Sequence, residues 1–131
     1  MSIEIIGLDH IQICVPIGKE GLARKFYLNL LNFIEIEKPE SLKNNGGFWC
    51  ESGEVTLHIG VEDIAETKSK RHVAFIIHDI AQVRRTLKKN GILIREEIQI
   101  PGIDRFSCFD PFHNKIEFLE RVETSTKMKE S

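Results

Sequence analysis

The sequence predicts an α+β fold built from two copies of one module, each a strand, a helix and three further strands. The first observation is a pair of similar segments, G-L-D-H-I-Q-I-C-V-P at residues 7–16 and R-H-V-A-F-I-I-H-D at residues 71–79, which superpose when His10 is placed on His72. The second is that both alternate apolar and polar residues, as a half-buried strand does. The third is that the same order of elements follows each segment. Two such sheets, each with a helix on its outer face, would enclose a cleft lined by their other faces.

Module one occupies about residues 7–61, and its first strand, at 7–15, ends at Pro16 and Gly18. Apolar residues at helical spacing then predict a helix, and alternation separated by turn residues predicts the strands. The remaining elements are a helix at 19–31, a strand at 33–37, a polar loop at 39–47 and strands at 48–51 and 55–61.

A charged linker at about residues 62–70 leads into module two, at 71–120. Asp79 follows the first strand of this module and is a favourable residue for beginning a helix. The predicted elements after the strand at 71–78 are a helix at 80–90 and strands at 92–98, 105–109 and 115–119. The tail at 124–131 is polar, and we expect it to be frayed.

Length and composition limit the function classes. A chain of 131 residues suits one domain, spanning 1–131, and a formal net charge of −2 with scattered basic residues argues against nucleic acid as a partner. No apolar run approaches the roughly 20 residues that cross a bilayer, and the N-terminus lacks the pattern of a signal peptide. An odd number of cysteines without a close pair favours reduced thiols and a cytoplasmic protein. They are Cys14, Cys50 and Cys108.

Four polar residues stand at equivalent places on the first and last strands of the modules. His10 and His58 are 48 residues apart in module one, and His72 and Glu117 are 45 apart in module two. Imidazole and carboxylate together suit a divalent ion such as Zn, Ni, Fe, Mn or Co, and two histidines with one carboxylate leave positions for a substrate oxygen. The alternative is a polar cavity lining without a metal. His78, at a strand end, is predicted to be a surface residue.

Five segments in order resemble the vicinal oxygen chelate superfamily over residues 7–120. They are L-D-H-I-Q-I-C-V-P, F-Y-L-N-L-L-N-F, V-T-L-H-I-G-V, R-H-V-A-F-I-I-H-D and D-P-F-H-N-K-I-E-F. The resemblance implies paired βαβββ modules forming an open, mixed β-barrel-like cleft of the glyoxalase type. It implies metal ligation by His10, His72 and Glu117, with His58 at the fourth position. It also implies a small-molecule substrate and a homodimer, sometimes formed by exchange of modules.

The superfamily includes glyoxalase I, bleomycin-resistance proteins, fosfomycin-resistance thiol transferases and extradiol dioxygenases, and this chain departs from some of them. Glyoxalase I usually has a carboxylate or amide where this chain has His58, at the position of proton transfer. We therefore predict that His58 acts as the catalytic base and also as a metal ligand. The alternatives are that a metal-bound water is the base and that His58 only hydrogen-bonds its neighbours. The only tyrosine, Tyr27, lies on the first predicted helix, whereas dioxygenases need one in the pocket.

Alternation places Gln12, Thr56 and Arg105 near the metal, and these residues together with Phe48 are predicted to bind the substrate. The neighbouring aromatic residue Trp49 is a further possible wall of the pocket. Arg105 would meet an anionic group of the substrate or form a salt bridge at the rim, and Phe48 would wall the pocket or belong to the core.

The predicted function is that of a metal-dependent lyase, isomerase or transferase of glyoxalase type. Such an enzyme binds neighbouring oxygens of its substrate and stabilises an enolate or oxyanion. A non-catalytic protein that sequesters a small molecule is the alternative, and an extradiol-type dioxygenase is third. The sequence leaves open the substrate, the metal, and whether one chain or two complete the site.

Overall fold

The computed structural model describes residues 2–63 and 69–122 of the chain. The chain divides into two compact units, Met1–Glu66 (unit 1) and Thr67–Ser131 (unit 2), and each is described by itself. The division falls within the stretch predicted to be a linker. Residues 64–68 of that linker and the tail at 124–131 lie outside the described residues.

Unit 1 contains one four-stranded mixed sheet in the order β1-β4-β3-β2. Strands β1 and β4 are parallel, and the other pairs are antiparallel. Its elements are β1 (Ile11–Pro16), α1 (Glu20–Arg24), a π-helical segment (Lys25–Leu30), β2 (Ile34–Ile36), a 3₁₀ segment (Glu40–Asn45), β3 (Phe48–Ser52) and β4 (Val55–Glu62).

Unit 2 repeats this arrangement in the order β5-β8-β7-β6, with β5 and β8 parallel. Its elements are β5 (His72–Ile76), α2 (Ile80–Lys89), β6 (Ile94–Glu96), β7 (Ile103–Phe109) and β8 (Lys115–Arg121). Both sheets are open and each accompanies a helix, so the predicted α+β class and the repeated strand–helix–three-strand order are confirmed.

Three local predictions need correction. The first strand begins at Ile11, because its parallel partner β4 first pairs with it at Leu57, and His10 therefore precedes the strand. The predicted first helix changes from α-helical to π-helical hydrogen bonding at Lys25, as the bond from Leu31 N–H to the Phe26 carbonyl shows. The predicted loop at 39–47 contains a 3₁₀ segment.

Each sheet buries an apolar face beneath its helix, and the same contact holds the helix in both units. In unit 1 the guanidinium of Arg24 lies 4.5 Å from the ring centre of Phe48 and pairs with Glu35. In unit 2 the guanidinium of Arg84 lies 4.9 Å from the ring centre of Phe106 and likewise pairs with a glutamate of the following strand. Such stacking of guanidinium on an aromatic face fixes the helix over the sheet. The opposite face of each sheet carries the candidate site residues.

The strand register places those residues equivalently in the two units. His58 stands opposite Gln12 on β1 and Trp49 on β3. Glu117 stands opposite Ala74 on β5 and Ser107 on β7. His10 lies two residues before Gln12, the β1 partner of His58, and His72 lies two residues before Ala74, the β5 partner of Glu117. Every second residue of a strand points to the same face, so the two pairs occupy equivalent places in the two units.

Candidate metal and substrate site

Three aromatic rings are stacked on the polar face of unit 1. The imidazole of His58 lies between the imidazole of His10, at 3.9 Å between ring centres and 17° between planes, and the indole of Trp49, at 3.8 Å and 4°. His58 is only 8% exposed. Burial is the main cause that lowers the pKa of His58, with a further contribution from His10. His58 is therefore neutral at pH 7 and able to accept a proton.

The tautomer of His10 is set by its neighbour in the sequence. The Nδ1 atom of His10 lies 2.8 Å from Oδ2 of Asp9. Because a carboxylate only accepts hydrogen bonds, Nδ1 carries the hydrogen and a neutral His10 presents Nε2 as a free electron pair. Carboxylate partners of this kind are typical of metal-binding histidines.

A pocket of about 680 Å³ opens over this face of unit 1. Two predicted substrate residues, Gln12 and Thr56, line it. Gly60 leaves space for the side-chain amide of Gln12, because a Cβ on Gly60 would lie 2.7 Å from Nε2 of Gln12. The other polar or aromatic lining residues are Asp9, His10, Lys38, Asn45, Trp49 and His58.

Phe48 is not among the residues that line this pocket. Its side chain is 1% exposed and lies beneath Arg24 on the helix side of the sheet. The reason is alternation along β3, which turns Trp49, and not Phe48, to the pocket. The structure therefore corrects the prediction that Phe48 walls the pocket and places it in the core.

In unit 2 an imidazole and a carboxylate face each other. His72 Nε2 lies 3.4 Å from Oε1 of Glu117. The carbonyl oxygen of Lys70 lies 2.8 Å from Nδ1 of His72 and can only accept, so Nδ1 carries the hydrogen. In neutral His72 the Nε2 electron pair consequently points towards a carboxylate oxygen. Two acceptors this close are stabilised when a proton or a metal cation lies between them.

Arg105, the fourth predicted substrate residue, binds Glu117 through a two-pronged ion pair. Its Nε lies 2.9 Å from Oε2, and its Nη2 lies 3.3 Å from Oε1. The third guanidinium nitrogen, Nη1, donates to the carbonyl of Ile98. Arg105 and Glu117 are 16% and 7% exposed, so the pair is largely screened from water.

The donor atoms in the two units fit a divalent metal ion in chemical type. His10 and His72 both engage Nδ1 with an acceptor and leave Nε2 available, and Glu117 supplies a buried carboxylate. Within the described part of either unit, three or more His, Cys, Asp or Glu side chains do not gather closely enough to hold an ion. Each unit supplies a pair of candidates, His10 with His58 and His72 with Glu117.

Sequence reasoning did not single out Asp9 and Lys38, and it gave Trp49 only as a possible wall of the pocket. Asp9 directly precedes His10, and an acidic residue beside a candidate ligand was the available signal. Lys38 lies in a polar stretch with no periodicity, and its ammonium group binds the carbonyl of Gly46. The stacking of Trp49 on His58 follows from the register of β3 against β4, which one sequence does not reveal.

The fold and the paired ligand positions define a class of protein. The family model of the Glyoxalase/Bleomycin resistance protein/Dioxygenase superfamily matches residues 7–118, and the chain belongs to that superfamily. The resemblance drawn from the five sequence segments is thereby confirmed. The described residues contain no helix with the length and apolar character needed to cross a membrane.

Several solved structures are similar to this chain. It is 40% identical to a glyoxalase family protein from Bacillus anthracis, covering 92% of this chain and 99% of that one with a TM-score of 0.85. It shares its fold with FosX, a fosfomycin resistance protein from Listeria monocytogenes, at 18% identity, 98% and 100% coverage and a TM-score of 0.71. An integron cassette protein of V. cholerae is similar at 20% identity, 92% and 98% coverage and a TM-score of 0.70. No curated protein matches the chain.

Proposed function

We propose that this protein is a metal-dependent enzyme of the glyoxalase type, a lyase, isomerase or transferase acting on a small substrate with neighbouring oxygens. The observation that carries the proposal is the paired arrangement of His72 Nε2 and Glu117 Oε1, together with a fixed tautomer at His10. Membership of the superfamily supports it. A variant of FosX has been solved with Mn(II) and 1S,2S-dihydroxypropylphosphonic acid, which supports a divalent ion at the level of the superfamily.

In this proposal His10, His72 and Glu117 hold the ion, whose identity among Zn, Ni, Fe, Mn and Co is open. When bound, it supplies Lewis acidity that polarises the substrate oxygens and stabilises an enolate or oxyanion. His58 accepts the proton that leaves the substrate carbon, since it is neutral and lines the pocket. Gln12 and Thr56 orient the substrate by hydrogen bonding.

His58 also stands at the fourth ligand position of the superfamily, so a ligand role is the competing interpretation of this residue. Its stacking against both His10 and Trp49 supports the base. A ring held between two others keeps a fixed orientation, which general base catalysis requires.

A non-catalytic binding protein is the second candidate, and one observation favours it. Arg105 already satisfies both oxygens of Glu117, so the carboxylate has no need of a metal to be stable when buried. In that case the pocket over Gln12 and Trp49 would sequester a small molecule without chemistry.

Metal content and ligand-induced stabilisation together test the proposal. The protein is purified from cells grown with added Mn, Fe, Co, Ni and Zn, and bound metal is quantified by mass spectrometry. A small-molecule library is then screened by thermal shift with and without a chelator. The proposal expects near-stoichiometric metal and ligands that stabilise the protein only in its metal-loaded form. A protein that neither retains nor rebinds any of these ions, or equal stabilisation under both conditions, supports the binding protein.

We also propose a homodimer in the cytoplasm. Four large apolar residues of the N-terminal segment are strongly exposed, as in a surface that associates. They are Ile3, Ile5, Ile6 and Leu8. The buried Cys50 and Cys108 are free thiols, which agrees with a reducing compartment. Sedimentation velocity at micromolar concentration tests the dimer, and a monomer there contradicts it.

A further inference from the structure

We propose that Arg105 is a positioning residue that fixes the Glu117 carboxylate in the orientation required for metal ligation. The inference rests on the proposed function, because it assigns Glu117 as a ligand. It replaces the earlier alternatives for Arg105, an anionic substrate group or a rim salt bridge, with a role exerted through Glu117.

The two contacts of this bidentate ion pair differ in length, and the difference distinguishes the two carboxylate oxygens of Glu117. The shorter contact, 2.9 Å from Arg105 Nε, is to Oε2 of Glu117. The longer, 3.3 Å from Nη2, is to Oε1, the oxygen that lies 3.4 Å from His72 Nε2. Arg105 therefore holds the carboxylate mainly by Oε2 and turns Oε1 towards the imidazole. An oxygen held this way retains an electron pair for a cation.

The guanidinium is itself fixed. Its Nη1 donates to the carbonyl of Ile98, so all three nitrogens are engaged, and only 16% of the side chain is exposed. A planar fork binds both carboxylate oxygens in one orientation, whereas a lysine ammonium is a point charge that fixes no such plane. The role consequently requires the shape of arginine as well as its charge.

Unit 2, which contains Glu117, has an arginine at position 105, whereas unit 1 has a glycine at the equivalent position. The pair Phe106–Phe118 in unit 2 corresponds to Phe48–Ile59 in unit 1, so the residue before each phenylalanine is equivalent. That residue is Arg105 in unit 2 and Gly47 in unit 1. A Cβ on Gly47 would lie 2.0 Å from a backbone oxygen, so unit 1 has no space for a side chain there.

The strand neighbour of Glu117 does not compete for this role. Ser107 stands directly opposite Glu117 in the register, but its hydroxyl donates to Glu97. Hydrogen-bonded ligand carboxylates are typical of metal sites, and the loss of such outer partners usually weakens metal binding. Arg105 is the side chain that meets this requirement for Glu117.

The test compares Mn(II) affinity, measured by isothermal titration, for the wild-type protein, Arg105→Lys and Arg105→Gln. We expect both variants to bind Mn(II) about 10- to 100-fold more weakly, because neither retains the fork. The matched control is Arg95→Gln, which removes one positive charge from the same unit at a residue whose ion pair is with Glu97. Its affinity should stay within about twofold of wild type. The electron paramagnetic resonance spectrum of bound Mn(II) should change in the Arg105 variants alone.

Two results for folded variants overturn the inference. Tighter binding in Arg105→Gln would identify Arg105 as a competitor of the metal, and wild-type affinity in Arg105→Lys would reduce its role to charge. If Arg105→Gln does not show a cooperative thermal transition, Arg105→Lys carries the test by itself. Absence of Mn(II), Zn(II) and Co(II) binding by the wild type overturns the proposed function as well, whereas unchanged affinity in both variants overturns only the role of Arg105.

Discussion

The Nε2 atom of His72 lies 3.4 Å from Oε1 of Glu117, and the carbonyl of Lys70 accepts the hydrogen on Nδ1 of the same imidazole. In the neutral form of His72 the two facing atoms are both hydrogen-bond acceptors. Here Arg105 holds the carboxylate and Lys70 holds the ring. The arrangement is stable when a proton or a metal cation lies between the two atoms.

Replacing His72 or Glu117 should weaken metal binding more than replacing a residue, such as Arg105, that contacts a proposed ligand without itself binding the metal. For His72→Gln and Glu117→Gln we expect losses of Mn(II) affinity of at least about 100-fold, above the 10- to 100-fold range of outer-shell partners. Isothermal titration measures both affinities. The matched control is His78→Gln, since His78 is an exposed histidine beyond the end of β5. Equal affinity for His72→Gln and His78→Gln would exclude His72 as a ligand.

Replacing His58 distinguishes its possible role as the catalytic base from its possible role as a metal ligand. If His58 accepts the substrate proton, His58→Gln should lower kcat by about 10²- to 10⁴-fold with little change in metal affinity. The assay uses a substrate found in the thermal-shift screen, and metal content is measured on the same preparation. A variant that loses its metal together with its activity would show instead that His58 is the fourth ligand.

Two glycines of unit 1 should differ in their tolerance of a side chain. Gly53 has φ of +57° and open space around it, so Gly53→Ala should cost roughly 1–2 kcal/mol for the left-handed conformation alone. Gly47 has φ of +72°, and its Cβ would also strike the carbonyl oxygen of Ile59 at 2.0 Å. We expect Gly47→Ala to cost more than about 3 kcal/mol. Urea denaturation measures both, and equal costs would refute the close approach of β3 and β4 at Gly47.

The ion pair between Arg84 and Asp104 should contribute to stability in a pH-dependent manner. Hydrogen bonding from Arg84 lowers the pKa of Asp104 below its ordinary value of 3.8. The contribution is therefore fully present above pH 3.8 and is lost as pH falls through the lower, folded-state pKa. The free energy of unfolding, measured in urea at about pH 5 and about pH 3, should fall less steeply in Asp104→Asn than in the wild type. Identical pH dependence in the two proteins would contradict this assignment.

Much of the fold followed from the sequence, because strand alternation is a local signal. Residues 71–79 alternate clearly, and their similarity to residues 7–16 indicated the repeat. The π-helical segment could not be predicted in this way, since the apolar stripe that includes Phe26 and Tyr27 is compatible with either helical form. The start of β1 depends on where β4 first pairs with it, which is a tertiary property.

The candidate ligands could be named from the sequence, whereas the side chains that contact them could not. His10, His58, His72 and Glu117 were identified because they occupy equivalent places on repeated strands. The partner of Glu117 was not, because Arg105 reaches it diagonally across β7 and β8, and two interpretations of Arg105 were open. Phe48 was placed in the pocket, although alternation from Trp49 decides its face once the register is known.

Diffraction from crystals of the Mn(II)-loaded protein, recorded at a wavelength where manganese scatters anomalously, tests the central claim most directly. Our account predicts one strong anomalous peak coordinated by Nε2 of His10, Nε2 of His72 and a carboxylate oxygen of Glu117. These ligands would come either from one chain or from two. A peak bound elsewhere, or loaded crystals in which the three side chains point to separate solvent-facing surfaces without a shared ion, would contradict it.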